Sequence, residues 1–160
     1  MGRIYSIVYQ GTITNAGGNV DLLELLPADD KPVKLRGLLL SQTSEVGDAA
    51  EEGLRITIKR FQTPTSGSGG SSVTPRAMDS ADAAAGVAAE CANTTVATDA
   101  GTTQTLAELA WNIRQSPYEM WFPEERFCPK AKQGEALIVC QETTAADDYS
   151  GCFTFWLEEE

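Results

Sequence analysis

Leu54-Arg55-Ile56-Thr57-Ile58-Lys59-Arg60-Phe61 decides the fold class. Leu54, Ile56 and Ile58 fall on one side of an extended chain, and Arg55, Thr57 and Lys59 on the other. This period of two belongs to a strand with one dry and one wet face. Both flanks of the stretch are polar. Ser44 to Gly53 carries Glu45, Asp48, Glu51 and Glu52 and reads as a solvated loop or a single helical turn. On the other side, Thr63-Pro64-Thr65-Ser66-Gly67-Ser68-Gly69-Gly70-Ser71-Ser72 cannot bury enough apolar surface to offset its ordering entropy. Residues 63–72 are therefore expected to form a flexible loop within one domain spanning 1–160.

The same period recurs outward from that centre. Arg3 to Ile13 places Tyr5, Ile7, Tyr9 and Ile13 on one face and Ser6, Gln10 and Thr12 on the other. The cluster Asn15-Ala16-Gly17-Gly18-Asn19 then turns the chain. A short strand over Asp21 to Leu26 stops at Pro27, before the polar turn Ala28-Asp29-Asp30-Lys31-Pro32. Val33 to Gln42 is apolar on both faces along Leu38-Leu39-Leu40, which predicts a strand covered twice, by a second sheet or by another subunit. Residues 79–101 are rich in Ala, Asp, Gly and Thr and are expected to form a loose excursion; Gly86 interrupts a possible helix over Asp82 to Ala89, and Thr94 to Ala97 could pair. Thr105 to Arg114 fits a helix, with Thr105 and Glu108 in capping-box spacing, or a strand with Thr105, Leu109, Trp111 and Ile113 inward. Its strand-rich surroundings and Ser116-Pro117 favour the strand. Ala136 to Gln141 and Gly151 to Leu157 complete the set, joined as an expected hairpin through Asp147-Asp148-Tyr149-Ser150. About eight strands with polar turns and no long helix indicate an all-β, antiparallel β-sandwich of jelly-roll-like type.

Composition narrows function by exclusion. The 160 residues carry 12 basic and 23 acidic side chains, a net charge of −11 that disfavours nucleic acid and anionic membrane as partners. The chain has no histidine, which removes Ser-His-Asp and Cys-His nucleophiles and the histidine-ligated metal sites, including those of metal-dependent cupins. Cys91, Cys128, Cys140 and Cys152 lack metal-ligand spacing and are expected to be mostly reduced core residues; Cys140 and Cys152, flanking the expected hairpin turn, are the pair that would close in an oxidising setting. No apolar run approaches the length of a membrane span, and no secretory core opens the chain.

Motif matches are weak. Met1-Gly2-Arg3-Ile4-Tyr5-Ser6 fits an acylation pattern and Asn93-Thr94-Thr95 a glycosylation acceptor; both are read as ordinary strand and loop sequence. The glycines at 67, 69 and 70 do not lead into Lys-Ser or Lys-Thr, so no phosphate loop is present. The carboxylate pairs Asp29–Asp30, Glu51–Glu52 and Asp147–Asp148 sit in turns, where they serve turn chemistry rather than acid–base catalysis. No catalytic, cofactor or metal site is expected. The aromatic cluster Trp111, Tyr118, Trp121, Phe122 and Phe127, with Arg114 and Arg126 nearby, is the candidate interface, because Trp, Tyr and Arg dominate binding hot spots. Exposed aromatics also suit a sugar platform, which keeps a glycan- or receptor-binding module of a tail or spike open. The ending Leu157-Glu158-Glu159-Glu160 reads as a solvated tail.

Several segments carry a resemblance: Tyr5-Ser6-Ile7-Val8-Tyr9, the turn and strand from Ala28 to Gly37, Ser41 to Glu52, Trp111-Asn112-Ile113-Arg114, and Phe155-Trp156-Leu157-Glu158-Glu159. Over nearly its whole length the chain resembles small β-rich virion proteins of tailed bacteriophages. The resemblance implies a non-enzymatic jelly-roll-like structural subunit that decorates or cements a capsid, or a minor capsid protein. It implies a homo-oligomer, with a trimer as the expected order, the major capsid protein as partner, and a virion location after assembly in the host cytoplasm. It carries over no catalytic residue and no cofactor.

Overall fold

A computed structural model of the chain describes residues 2–14, 18–44, 53–114, 117–142 and 147–160. The turn residues 15–17, the acidic segment 45–52 with Glu51 and Glu52, Met1 and Ser116 lie outside the described residues. Eight principal strands build the fold: β1 (Arg3–Ile13), β2 (Val20–Leu26), β3 (Val33–Gln42), β4 (Gly53–Phe61), β5 (Gln104–Asn112), β6 (Tyr118–Trp121), β7 (Ala136–Gln141) and β8 (Tyr149–Glu159). They pair as nested antiparallel partners, β1 with β8, β2 with β7, β3 with β6 and β4 with β5, as if one long hairpin were rolled up. The rolled hairpin splits into two sheets, a first with the order β6-β3-β8-β1 and a second with the order β5-β4-β7-β2. This is the jelly-roll-like sandwich that the strand spacing predicts. Short strands extend the edges, Arg76–Ala77 beside β1, Lys130–Ala131 beside β3, and Ala88–Cys91 followed by Ser71–Val73 beside β2.

The inner faces enclose one core. Tyr5, Ile7, Leu35, Leu38, Leu40, Phe153 and Phe155 from the first sheet meet Leu23, Leu25, Leu54, Ile56, Ile58 and Val139 from the second. Trp111 closes one end, edge-on to Tyr149 and Phe153 with ring centroids 6.0 and 6.3 Å away. Three β-bulges then decide where other side chains point. Leu35 pairs with Leu157 and Gly37 with Trp156, so Arg36 is extra in β3. Leu23 pairs with Val139 and Asp21 with Cys140, so Leu22 is extra in β2 and Asp21 and Glu24 come to share the outer face. Thr105 pairs with Lys59 and Ala107 with Ile58, which leaves Leu106 extra in β5. The segment 105–114 is thus strand, but the bulge reverses its parity: Thr105 is exposed rather than inward, and Ala107 packs on the core in its place.

Four expectations are corrected. β7 and β8 do not form a hairpin, because the chain crosses from the second sheet to the first between them. Cys140 and Cys152 consequently sit on the outer faces of opposite sheets, and all four cysteines are free thiols. The Gly/Ser stretch 63–72 is tied down rather than loose: Ser68 exchanges backbone hydrogen bonds with Thr95, Ser71–Val73 pairs with Ala89 to Cys91, and Asp99 accepts from the amides of Gln62 and Thr63. Glycine is needed there for close approach, since a Cβ on Gly70 would lie 2.3 Å from the Asn93 Oδ1 and Cys91 carbonyl atoms. The acidic tail is strand, not solvated coil. Glu158 and Glu159 are buried, and the Glu159 carboxylate accepts hydrogen bonds from the Gly86 and Val87 amides at 2.8 Å and pairs with Lys31 at 3.3 Å. A buried carboxylate with several donors outweighs the pull of water on a terminal acidic run.

Candidate docking face on the first sheet

The outer face of the first sheet is a flat array whose rows follow the register. Trp121, Gly37, Trp156 and Ser6 form one row, and Glu119, Leu39, Thr154 and Val8 the next. Ser41, Cys152 and Gln10 follow on one side, with Lys34, Glu158 and Ile4 toward the other end. Along β1 the wet face should be polar, yet Val8 stands on it 68% exposed. Trp121 is 50% exposed and stacks on Trp156, with ring centroids 4.5 Å apart and planes at 26°. Gly37 makes room for this pair, because a Cβ there would approach the Trp121 ring to 2.6 Å. The Trp121 indole N–H donates to the Glu119 carboxylate, which fixes the ring orientation.

One end of the face is bounded by a charged belt. Lys34, almost buried on β3, is held between the carboxylates of Glu125 and Glu160. Burial alone would lower its pKa, but hydrogen bonds to the two carboxylates reverse the sign and raise it. The same contacts hold Glu125 below the usual carboxylate range, and Glu160 is lowered by Lys130 first and Lys34 second. Arg36, re-aimed by its bulge, lies 3.4 Å from Glu158. The Glu158 carboxylate also accepts from the Gly2 amide at 2.9 Å. An open hollow of about 770 Å³ lined by Gly2, Ile4, Arg36, Glu125, Glu158 and Glu160 sits at this end.

The outer face of the second sheet differs. Phe61, Ala97, Ala136, Ile138 and Cys140 form a second buried cluster, with Leu26 and Val96 against it. Parts of the segment 62–101, around Ser66–Gly67 and Asn93–Ala97, lie against this face, and two buried carboxylates of β2 fasten them. Glu24 accepts from Ser66 Oγ at 2.7 Å, the Gly67 amide at 3.0 Å and Asn93 Nδ2 at 2.9 Å. Asp21 accepts from the Ala97 amide at 2.6 Å. Burial pushes the Asp21 carboxyl up to about 6, an effect reinforced by Glu24 and partly offset by the Ala97 and Cys140 hydrogen bonds and by Lys59. The Cys91 thiol, pushed up to about 12 by burial alone, is unreactive packing.

The structure divides the seven residues of the sequence-based interface. Trp111 is core, and Tyr118 and Phe122 are half-buried against the core. Trp121 lies on the bare face, Arg114 projects from the turn after β5, and Arg126 and Phe127 lie on a 3₁₀ turn, Glu125–Phe127. Val8, Leu39 and Trp156 belong to the face and were not singled out. Their signal is an apolar residue in the polar phase of an alternating strand, as Trp156 is between Phe155 and Leu157. Among the described residues no group of three or more His, Cys, Asp or Glu side chains is placed to hold a metal ion, and no helix is long and apolar enough to cross a membrane. No protein family, curated protein or solved structure matches the chain.

Proposed function

We propose that this chain is a non-enzymatic structural subunit of a tailed-phage virion, a head decoration or minor capsid protein that acts by self-association and by docking on the major capsid protein. One observation carries the reading: the outer face of the first sheet exposes Val8 and Trp121, with Leu39 and the stacked Trp156 half-buried beside them, without a cover from the described residues. A second copy or a neighbouring subunit supplies that cover in a closed assembly, for which a trimer is the expected order. The jelly-roll architecture is shared by viral capsid domains, lectins and cupins, so it is compatible with this role without selecting it. The segments quoted above for their resemblance supply the virion part of the proposal. Sedimentation of phage particles through a density gradient with the chain added tests it. Co-migration with intact particles, lost in Trp121→Ala, is the expected result; a chain that stays at the top of the gradient contradicts it.

The stacked tryptophans also favour a second reading, a glycan- or receptor-binding module, since a half-exposed indole face is a platform for a sugar ring. That reading predicts saturable quenching of tryptophan fluorescence by a member of a glycan panel. No quenching across the panel counts against it.

A further inference from the structure

The two sheets end in four lateral edges. The first sheet ends in β6, four residues, and in β1, which Arg76–Ala77 covers only opposite Tyr5 and Ser6; the second ends on one side in the three-residue Ser71–Val73. The fourth edge is β5, nine residues long and paired only with β4. Among the described residues, no backbone hydrogen bond reaches the outer side of β5 between Thr105 and Ala110. That edge carries neither proline nor lysine, and its one charged residue, Glu108, is paired to Arg55 on the sheet face. Such an edge is a template for an added strand.

A hollow of about 490 Å³ opens beside the start of this edge, between β5 and the Glu125–Phe127 turn. It is lined by Leu106, Phe127, Arg60, Arg126 and Lys130, with Glu125 on its rim. Its apolar members are exposed, Leu106 by 38% as the bulged residue and Phe127 by 67%. Its cations are unevenly used. Lys130 is paired with Glu160 and Glu125 with Lys34. Arg60 spends its terminal nitrogens on the Lys130 carbonyl and Gln104, while its buried Nε has no hydrogen-bond partner. Neither Arg60 nor Arg126 has an ion pair among the described residues. In a chain of net charge −11, two unpaired guanidinium groups around an apolar hollow mark a local reversal of sign.

We propose that the β5 edge and this hollow bind an extended acidic segment of a partner protein. The segment adds a strand to Ala107–Ala110 through backbone hydrogen bonds. Running on past Leu106, it places an apolar side chain between Leu106 and Phe127 and a carboxylate against Arg126. Arginine holds a carboxylate with two parallel hydrogen bonds, and the alternation of the added strand sends successive side chains to opposite faces. This surface is distinct from the bare face of the first sheet, and the inference does not depend on the virion reading.

Fluorescence anisotropy with a labelled peptide of alternating sequence, Asp-Val-Asp-Val-Asp-Val, tests the proposal directly. The acidic peptide is expected to bind saturably to the whole chain and to protect the Ala107–Ala110 amides from hydrogen exchange. Its lysine-for-aspartate counterpart is expected not to bind. Arg126→Glu and Leu106→Asp, both at exposed positions, should each weaken binding by about tenfold or more, whereas Met78→Ser, at an exposed position outside both surfaces, should leave it unchanged. No binding of the acidic peptide, equal binding of the basic one, or unchanged affinity in Arg126→Glu overturns the proposal. A chain that dimerises on its own, and becomes monomeric with Leu106→Asp, assigns the edge to a second copy and overturns it too.

Discussion

The outer faces of the two sheets pose the same problem and resolve it differently. Each carries apolar side chains on the side away from the core. On the second sheet the chain covers them itself: Val96 and Ala97 pack on Phe61, Ala136, Ile138 and Cys140, and Glu24 and Asp21 fasten the loops around Ser66–Gly67 and Asn93–Ala97. On the first sheet Val8 and Trp121 are exposed, with Leu39 and Trp156 half-buried beside them, and none of the described residues covers them. Apolar residues on both faces of a strand therefore say that a cover exists without saying whose. What distinguishes the two cases is the polar chemistry around them. A self-covered face needs buried acceptors to anchor loop amides, and β2 supplies two in the middle of an apolar run. On the first sheet the buried outer-face acceptor Glu158 takes the Gly2 amide at the charged end and fastens nothing over Val8 and the tryptophan pair.

The largest expected effect removes the fastening. Glu24→Leu leaves Ser66 Oγ, the Gly67 amide and Asn93 Nδ2 without their shared acceptor, and should cost about 4 kcal/mol by denaturant unfolding. A loss below about 1 kcal/mol would mean that the cover is held by apolar contact alone, and the contrast between the faces would weaken.

Asp21 sharpens the comparison through pH. Its carboxyl sits at about 6 in the folded chain against 3.8 for the ordinary group, so ionisation opposes folding. The penalty is absent below the unfolded value, accumulates as pH rises from 3.8 to about 6, and is complete above that. Between about pH 4 and pH 7, the stability of Asp21→Asn relative to the wild type should rise by on the order of 2–3 kcal/mol. Taking the difference isolates Asp21 from carboxylates such as Glu142 and Glu160, whose lowered values act in the opposite direction. A flat difference across that range would show that the site is hydrated.

A smaller effect belongs to the bare face. Gly37→Val forces Trp121 off its stack on Trp156, with a loss of about 1–2 kcal/mol and a change in the near-ultraviolet circular dichroism of the tryptophan pair. An unchanged spectrum would mean that the two rings do not stack in solution.

The strands were legible in the sequence wherever alternation was unbroken. Arg3–Ile13, Val33–Gln42 and Ala136–Gln141 form where the pattern predicts them, and the spacing of about eight strands leads to the sandwich. What was hidden has specific causes. The bulges at Leu22, Arg36 and Leu106 add one residue each and reverse the facing of everything beyond, and no local residue type announces them. Asp21 and Glu24, three apart, read as opposite faces of a regular strand and meet only because of Leu22. The ordering of the Gly/Ser stretch comes from partners more than 15 positions away in sequence, such as Ser68 with Thr95 and Ser72 with Glu90. Of the candidate site, Trp121 was legible as a member of an aromatic cluster with arginines nearby in sequence. Val8 was legible only as an apolar residue among Ser6, Gln10 and Thr12.

The smallest expected change in stability accompanies the most direct test of the bare face. Val8→Asp replaces an exposed side chain and should leave unfolding within about 0.5 kcal/mol of the wild type. Light scattering after gel filtration should then give a closed homo-oligomer, expected as a trimer, for the wild type and a monomer for Val8→Asp. An identical native mass for both proteins would contradict the assignment of this face as the docking surface.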